Sequence, residues 1–154
     1  MGDSELFKAA LSKAMALCSK REYCREDIRL KLNDWGLGDN DSGRVLATLV
    51  SEKFIDEKRY SRAFARDKFN YNKWGKIKIS ALLRMKRIPS ETISEALASI
   101  DQDLYLQTLK DLISSHRKHV RAKNQFEMNG KLLRFALSKG FESSLVYDIL
   151  KMEE

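Results

Sequence analysis

Apolar residues recur along this chain at offsets of three and four, the spacing that puts side chains on one face of an α-helix. No stretch shows the period of two expected of a strand. Glu5 to Ser19 carries Leu6, Phe7, Ala10, Leu11, Ala14, Leu17 and Cys18 on a single face. The same pattern predicts helices from about Arg25 to Trp35, Ser42 to Lys53, Asp56 to Tyr71 and Gly75 to Lys86, and another opening at Pro89-Ser90-Glu91. Three more follow, at about Asp103 to His119, Asn124 to Lys139 and Ser143 to Met152. Asp41 and Asp56 suit N-caps, and Gly36 and Gly140 suit left-handed C-terminal positions.

A longer period overlies the helical one. Ile28, Leu32 and Leu37 recur with the same offsets as Ile79, Leu83 and Ile88, and again as Leu132, Ala136 and Phe141. Each trio is followed by an apolar pair four apart: Val45 and Leu49, Ile93 and Leu97, Val146 and Leu150. The first copy has three more residues between trio and pair than the others, which reads as a loop insertion at Asp39-Asn40-Asp41. The expected fold is therefore all-α, with three tandem three-helix, helix-turn-helix-like repeats in an elongated, curved array. The units are placed at 1–54, 55–100 and 101–154. A unit of about 50 residues buries little core alone, so stacking is the economical arrangement.

Composition narrows the function classes. With 43% hydrophobic and 33% charged residues among 154, the chain reads as an ordinary folded protein. Its longest uncharged stretch, Val45 to Ser51, is far short of the ~20 apolar residues of a membrane helix. Glu5, Lys8 and Lys13 interrupt any signal-peptide core, and Leu6 stands where a Met1-Gly2 myristoylation signal needs Ser or Thr. A cytoplasmic protein without membrane association is expected. Cys18 and Cys24 match no metal or redox spacing and are read as two half-buried thiols in a reducing compartment.

The formal charge of +7 is concentrated in the middle of the chain. Residues 53–87 hold 12 basic and 3 acidic side chains, whereas the flanking segments are each net −1. Such a run repels itself and points to a polyanionic or acidic partner. Arg59, Arg62 and Arg66 fall at i, i+3 and i+7 and form one ridge, with only Asp56, Glu57 and Asp67 nearby in sequence. Tyr71, Lys73, Trp74, Lys76 and Lys78 interleave aromatics with lysines and lead into a helix start, where free N–H groups can accept an anion. Trp74 either stacks on a base or covers the helix joint. On the next helix Ile79, Leu82 and Leu83 form the core stripe. Ile77, Ala81 and Met85 form a second one beside Lys78 and Arg84. That second stripe is either sandwiched between units, the favoured arrangement, or offered to a partner. Lys86 and Arg87 complete the candidate binding set.

Catalytic constellations are absent from the sequence. His116 and His119 lie in a Lys/Arg-rich stretch without Cys or carboxylate neighbours at ligand spacing and are read as solvated or phosphate-facing. Gly36-Leu37-Gly38 lacks the third glycine of a dinucleotide loop, and Asp39 to Gly43 fails the calcium-loop pattern at Arg44. No enzyme, metal or cofactor is expected.

Three segments in order resemble the RecX family of recombination regulators. They are Ala16-Leu17 through Tyr23-Cys24-Arg25-Glu26 to Ile28, then Phe54-Ile55-Asp56-Glu57 to Phe64, then Trp74-Gly75-Lys76-Ile77 through Leu83 to Ile88. Gly140-Phe141 is similar to the start of that family's closing helix, and the resemblance spans about residues 9–150. Two positions depart from the pattern: Cys24 replaces a Ser cap, and Arg87 stands where Gly is usual. The resemblance implies a monomeric, non-enzymatic protein that binds the RecA recombinase filament and single- and double-stranded DNA without sequence preference. It would block filament extension and so lower recombination, repair and the damage response. The alternative is a tandem helix-turn-helix transcriptional regulator. A sequence reader needs Arg, Asn or Gln at base edges, whereas the middle helix here offers mainly Lys and Arg.

Overall fold

The computed structural model describes residues 4–152. Residues 1–3 and 153–154, and with them the Met1-Gly2 pair, lie outside the described residues. Among the described residues there are nine α-helices and no strand. They are α1 (Glu5–Lys20), α2 (Arg25–Asp34), α3 (Asp39–Ser51), α4 (Glu57–Asn72), α5 (Lys76–Met85), α6 (Ser90–Ala98), α7 (Gln102–Arg117), α8 (Gln125–Ser138) and α9 (Ser143–Met152). Helices α1 and α2 pack on α3, while α4, α5 and α6 pack on one another, as do α7, α8 and α9. Among the described residues, no helix is long and apolar enough to cross a membrane.

Local chemistry explains most boundaries. Ser4, Asp56, Asp101 and Asn124 each accept a backbone N–H of the first turn that follows, satisfying donors with no intrahelical partner. Cys24 caps α2 in place of an oxygen. Its Sγ accepts from the Asp27 N–H at 3.5 Å while Asp27 accepts from the Cys24 N–H at 3.4 Å. The expected loop insertion at Asp39-Asn40-Asp41 is not a loop. These residues form the first turn of α3, after Gly38 at the N-cap, and the Asp39 and Asp41 carboxylates sit at the positive end of the helix dipole. Asp41 is thus a first-turn residue rather than the cap. The predicted end of α7 at His119 also moves back, to Arg117.

The repeated trio marks the same turn three times. Gly36, Arg87 and Gly140 are all left-handed, with φ of 85°, 61° and 95°. The next residue in each copy donates its N–H five residues back: Leu37 to Leu32, Ile88 to Leu83 and Phe141 to Ala136, at 3.0–3.2 Å. Each turn drives one apolar side chain back under its helix, and all nine trio residues are buried. Arg87 keeps the shape of the turn, at a steric cost of roughly 1 kcal/mol that glycine would not incur.

The core divides unevenly. Phe7, Ala14, Ile28, Leu32, Val45 and Leu49 form a cluster of their own within α1 to α3. The second and third sets of helices share one core, in which Phe69, Tyr105 and Phe141 meet at centroid distances of 5.6 and 5.1 Å. The sandwiched second stripe of α5 is not found. Ile77 and Met85 are 58% and 75% exposed and Ala81 is exposed between them, because neither neighbouring set of helices covers that side.

Candidate nucleic-acid interface

The basic joint lies where α4 gives way to α5. Lys73 is left-handed (φ 57°) and turns the chain, and the Trp74 N–H donates to the Lys68 carbonyl at 3.2 Å. The third set of helices then takes up the donors at the start of α5. Gly75 N–H bonds the Lys139 carbonyl at 2.8 Å, Lys76 N–H bonds the Tyr105 hydroxyl at 2.8 Å, and Ile77 N–H bonds the Gly140 carbonyl at 2.9 Å. These N–H groups are therefore not free to hold an anion, contrary to the sequence reading. Tyr105 in turn donates to Glu142, and burial holds its hydroxyl proton far more firmly than in water.

The lysine side chains remain available. Lys68, Lys73, Lys76, Lys78 and Lys139 surround the joint, and none forms an ion pair among the described residues. Their neighbours are neutral: Lys73 donates to the Asn70 carbonyl, Lys76 to Gln102 and Lys139 to the Asn72 carbonyl. Trp74 is half-buried against the core, with the Lys68 and Lys78 ammonium groups 5.0 and 4.4 Å from its ring centre. It covers the joint. The exposed aromatic is Tyr71, at 82%. Lys68 and Lys139 were missed in the sequence, since Lys68 lies inside α4 and Lys139 belongs to the third repeat.

A second group of predicted residues faces elsewhere. Arg59 pairs with Glu22, Lys86 with Asp27 at 2.6 Å and Arg87 with Glu26 at 3.8 Å, all across the junction between α1–α3 and α4–α6. The Arg25 N–H also donates to Glu57 across it, at 3.2 Å. Glu26 is chelated by Arg29 at 2.6 and 2.8 Å, which holds its carboxyl below the usual range, while burial pushes that of Glu57 up. Burial also raises the Cys24 thiol to about 11. A cleft of about 400 Å³ at this junction is lined by Arg21, Glu22, Asp27, Tyr60, Asp67 and Lys86. Acids distant in sequence thus neutralise one end of the expected arginine ridge. Arg62, Arg66 and Arg84 are exposed and without an ion pair among the described residues.

Of the two histidines read as solvated or phosphate-facing, His119 is exposed while His116 is half-buried. His116 stacks on Phe135 at 3.7 Å with the rings 12° apart. Among the described residues, no three His, Cys, Asp or Glu side chains come together as metal ligands would.

Comparison with known proteins bears on this arrangement. A model of the second three-helix domain of RecX matches residues 56–97. A regulatory protein RecX of Mannheimia succiniciproducens is 31% identical over 136 residues, covering 86% of each chain. One from Prosthecochloris aestuarii is 29% identical over 151 residues, covering 97% of this chain and 96% of its own. A Clostridium botulinum RecX is 28% identical, and this chain spans 59% of its length. A crystal structure of a regulatory protein RecX is similar in fold, with a TM-score of 0.86 over 96% of this chain and 72% of that one at 24% identity.

Proposed function

The chain belongs to the RecX family of regulatory proteins, and from that membership we propose that it binds the RecA nucleoprotein filament together with DNA and limits filament extension. The observation that carries the proposal is the joint of α4 and α5, where five lysines stand without carboxylate partners among the described residues. Uncompensated ammonium groups beside an exposed Tyr71 suit a phosphate backbone and its bases, with no dependence on sequence. The exposed Ile77–Ala81–Met85 stripe, flanked by Lys78 and Arg84, adds an apolar strip that suits a protein partner next to the DNA. The division into units 1–54, 55–100 and 101–154, action as a monomer and a cytoplasmic place of action belong to the same proposal.

The test is RecA-dependent ATP hydrolysis on single-stranded DNA with increasing amounts of this protein. Falling hydrolysis supports the reading, and no effect at RecA-equivalent concentrations overturns it. A variant carrying Lys76→Ala and Lys78→Ala keeps every backbone bond of the joint. Its melting temperature should stay near wild type, while the log–log salt slope of single-strand binding should fall by about 1.4. Strong preference for one duplex sequence would instead favour a promoter-binding regulator.

A further inference from the structure

The loop from α7 to α8 and the exposed face of α8 carry charge and an aromatic ring that the joint of α4 and α5 does not use. Residues 117–126 contain Arg117, Lys118, Arg121 and Lys123 and no carboxylate. The carboxylate that follows, Glu127, is spent on holding the loop. It pairs with Lys131 at 3.1 Å and accepts from the Lys123 N–H at 3.5 Å, while Lys131 donates to the Arg121 carbonyl at 2.6 Å. The loop backbone is thereby fixed with Lys118, Arg121 and Lys123 exposed.

Phe126 stands beside them at 89% exposure, the most exposed large apolar residue of the described chain. It shares the outer face of α8 with Gly130 and Arg134, at i, i+4 and i+8. A Cβ at Gly130 would lie 3.7 Å from the Arg134 guanidinium, so the arginine lies along the open space that the glycine leaves. Between α8 and α9 runs a groove of about 620 Å³, lined by Phe126, Gly130, Leu133, Tyr147, Asp148 and Lys151. Tyr147, 58% exposed, adds a second ring. A purely protein-binding groove would have little need of the cations around it, whereas a ring flanked by exposed Arg and Lys has the makings of a single-strand platform.

We propose that the α7–α8 loop and the outer face of α8 form a second contact for single-stranded nucleic acid, with Phe126 stacking on a base and Arg121, Lys123 and Arg134 on phosphates. The inference rests on the DNA-binding reading above and adds a separate site to it. The far end of α8 abuts the basic joint, through Gly140 against Lys78 and Lys139 against Asn72. The 14 residues of α8 span about 21 Å, so one strand reaching both ends would need roughly six stacked nucleotides.

The experiment measures fluorescence anisotropy of a labelled 20-mer oligothymidylate with the full chain. Phe126→Ala should weaken binding about tenfold with the salt slope unchanged, and Phe126→Tyr should restore it. Arg121→Ala with Lys123→Ala should lower the salt slope by about 1.4. Melting temperatures should not move, since these side chains are exposed. Wild-type binding by both sets of variants, while Lys76→Ala with Lys78→Ala is weakened, overturns this site and leaves the joint standing. The converse pattern overturns the joint and leaves this site. If Phe126→Ala loses inhibition of RecA but binds the oligonucleotide as wild type, the face docks protein, and the proposal falls.

Discussion

Gly75 and Gly140, 65 positions apart, meet backbone to backbone. A Cβ at Gly75 would stand 2.3 Å from the Gly140 carbonyl carbon, and one at Gly140 would stand 2.3 Å from the Lys78 Cβ. Two backbone hydrogen bonds close the contact, from Gly75 N–H to Lys139 and from Ile77 N–H to Gly140. The start of α5 is thereby fused to the end of α8, and this fusion brings Lys139 to the basic joint.

Gly75→Ala should therefore destabilise the protein by about 1–3 kcal/mol, because its neighbours are backbone atoms that cannot rotate away. The melting temperature should fall by several degrees, and single-strand affinity should fall with it as Lys139 parts from Lys76 and Lys78. Thermal melting with anisotropy on the same variant checks both. An unchanged melting temperature would refute the close contact.

Arg87→Gly should act in the opposite direction. Arg87 occupies the left-handed position that glycine fills in the other two copies, and its ion pair with the largely buried Glu26 is long at 3.8 Å, with the Arg87 side chain itself 75% exposed. Relief of the steric cost should slightly exceed the loss of that pair and the added chain entropy, giving at most about 0.5 kcal/mol of stabilisation in urea titration.

The junction of α1–α3 with α4–α6 should respond to salt. Lys86 and Asp27 are 2.6 Å apart, with 31% and 19% of their side chains exposed. A double-mutant cycle of Lys86→Ala and Asp27→Ala should return a coupling of about 1 kcal/mol at low ionic strength, shrinking as salt is added. DNA binding by Lys86→Ala should fall less than that of Lys76→Ala with Lys78→Ala, since Asp27 already neutralises this ammonium group.

Cys24 makes stability fall at high pH. Burial raises its thiol to about 11 from an ordinary value of 9.0, so the folded chain holds the proton more tightly than the unfolded one. The corresponding contribution is complete below pH 9 and is lost as pH rises towards 11. Wild type should lose about 1–2 kcal/mol more than Cys24→Ser over that window, read by urea unfolding at stepped pH. Tyr105, also held protonated by burial and out of reach of Cys24, titrates alike in both proteins and cancels in the difference, whereas Tyr60, which is hydrogen-bonded to Cys24, adds to it.

The helices and the three copies of the trio were legible in the sequence because each rests on local periodicity, and the family resemblance because its three segments are each contiguous along the chain. The offsets of Ile28, Leu32 and Leu37 recur wherever the left-handed turn recurs, and Arg87 betrays itself by standing in that turn without being glycine. The net charge of residues 53–87 was legible for the same reason, as a count along the chain. Which of those charges are free was not. Glu22, Glu26 and Asp27 reach Arg59, Arg87 and Lys86 only after two sets of helices dock, and Lys139 reaches Asn72 across 67 positions. The start of α5 reads in the sequence as a row of open N–H donors, yet Lys139, Tyr105 and Gly140 occupy them in the fold. Periodicity acts over four residues, and Coulomb pairing acts over a few ångströms of space. The sequence by itself determined the helices and the excess of charge, whereas tertiary structure alone decided where that charge is left unpaired.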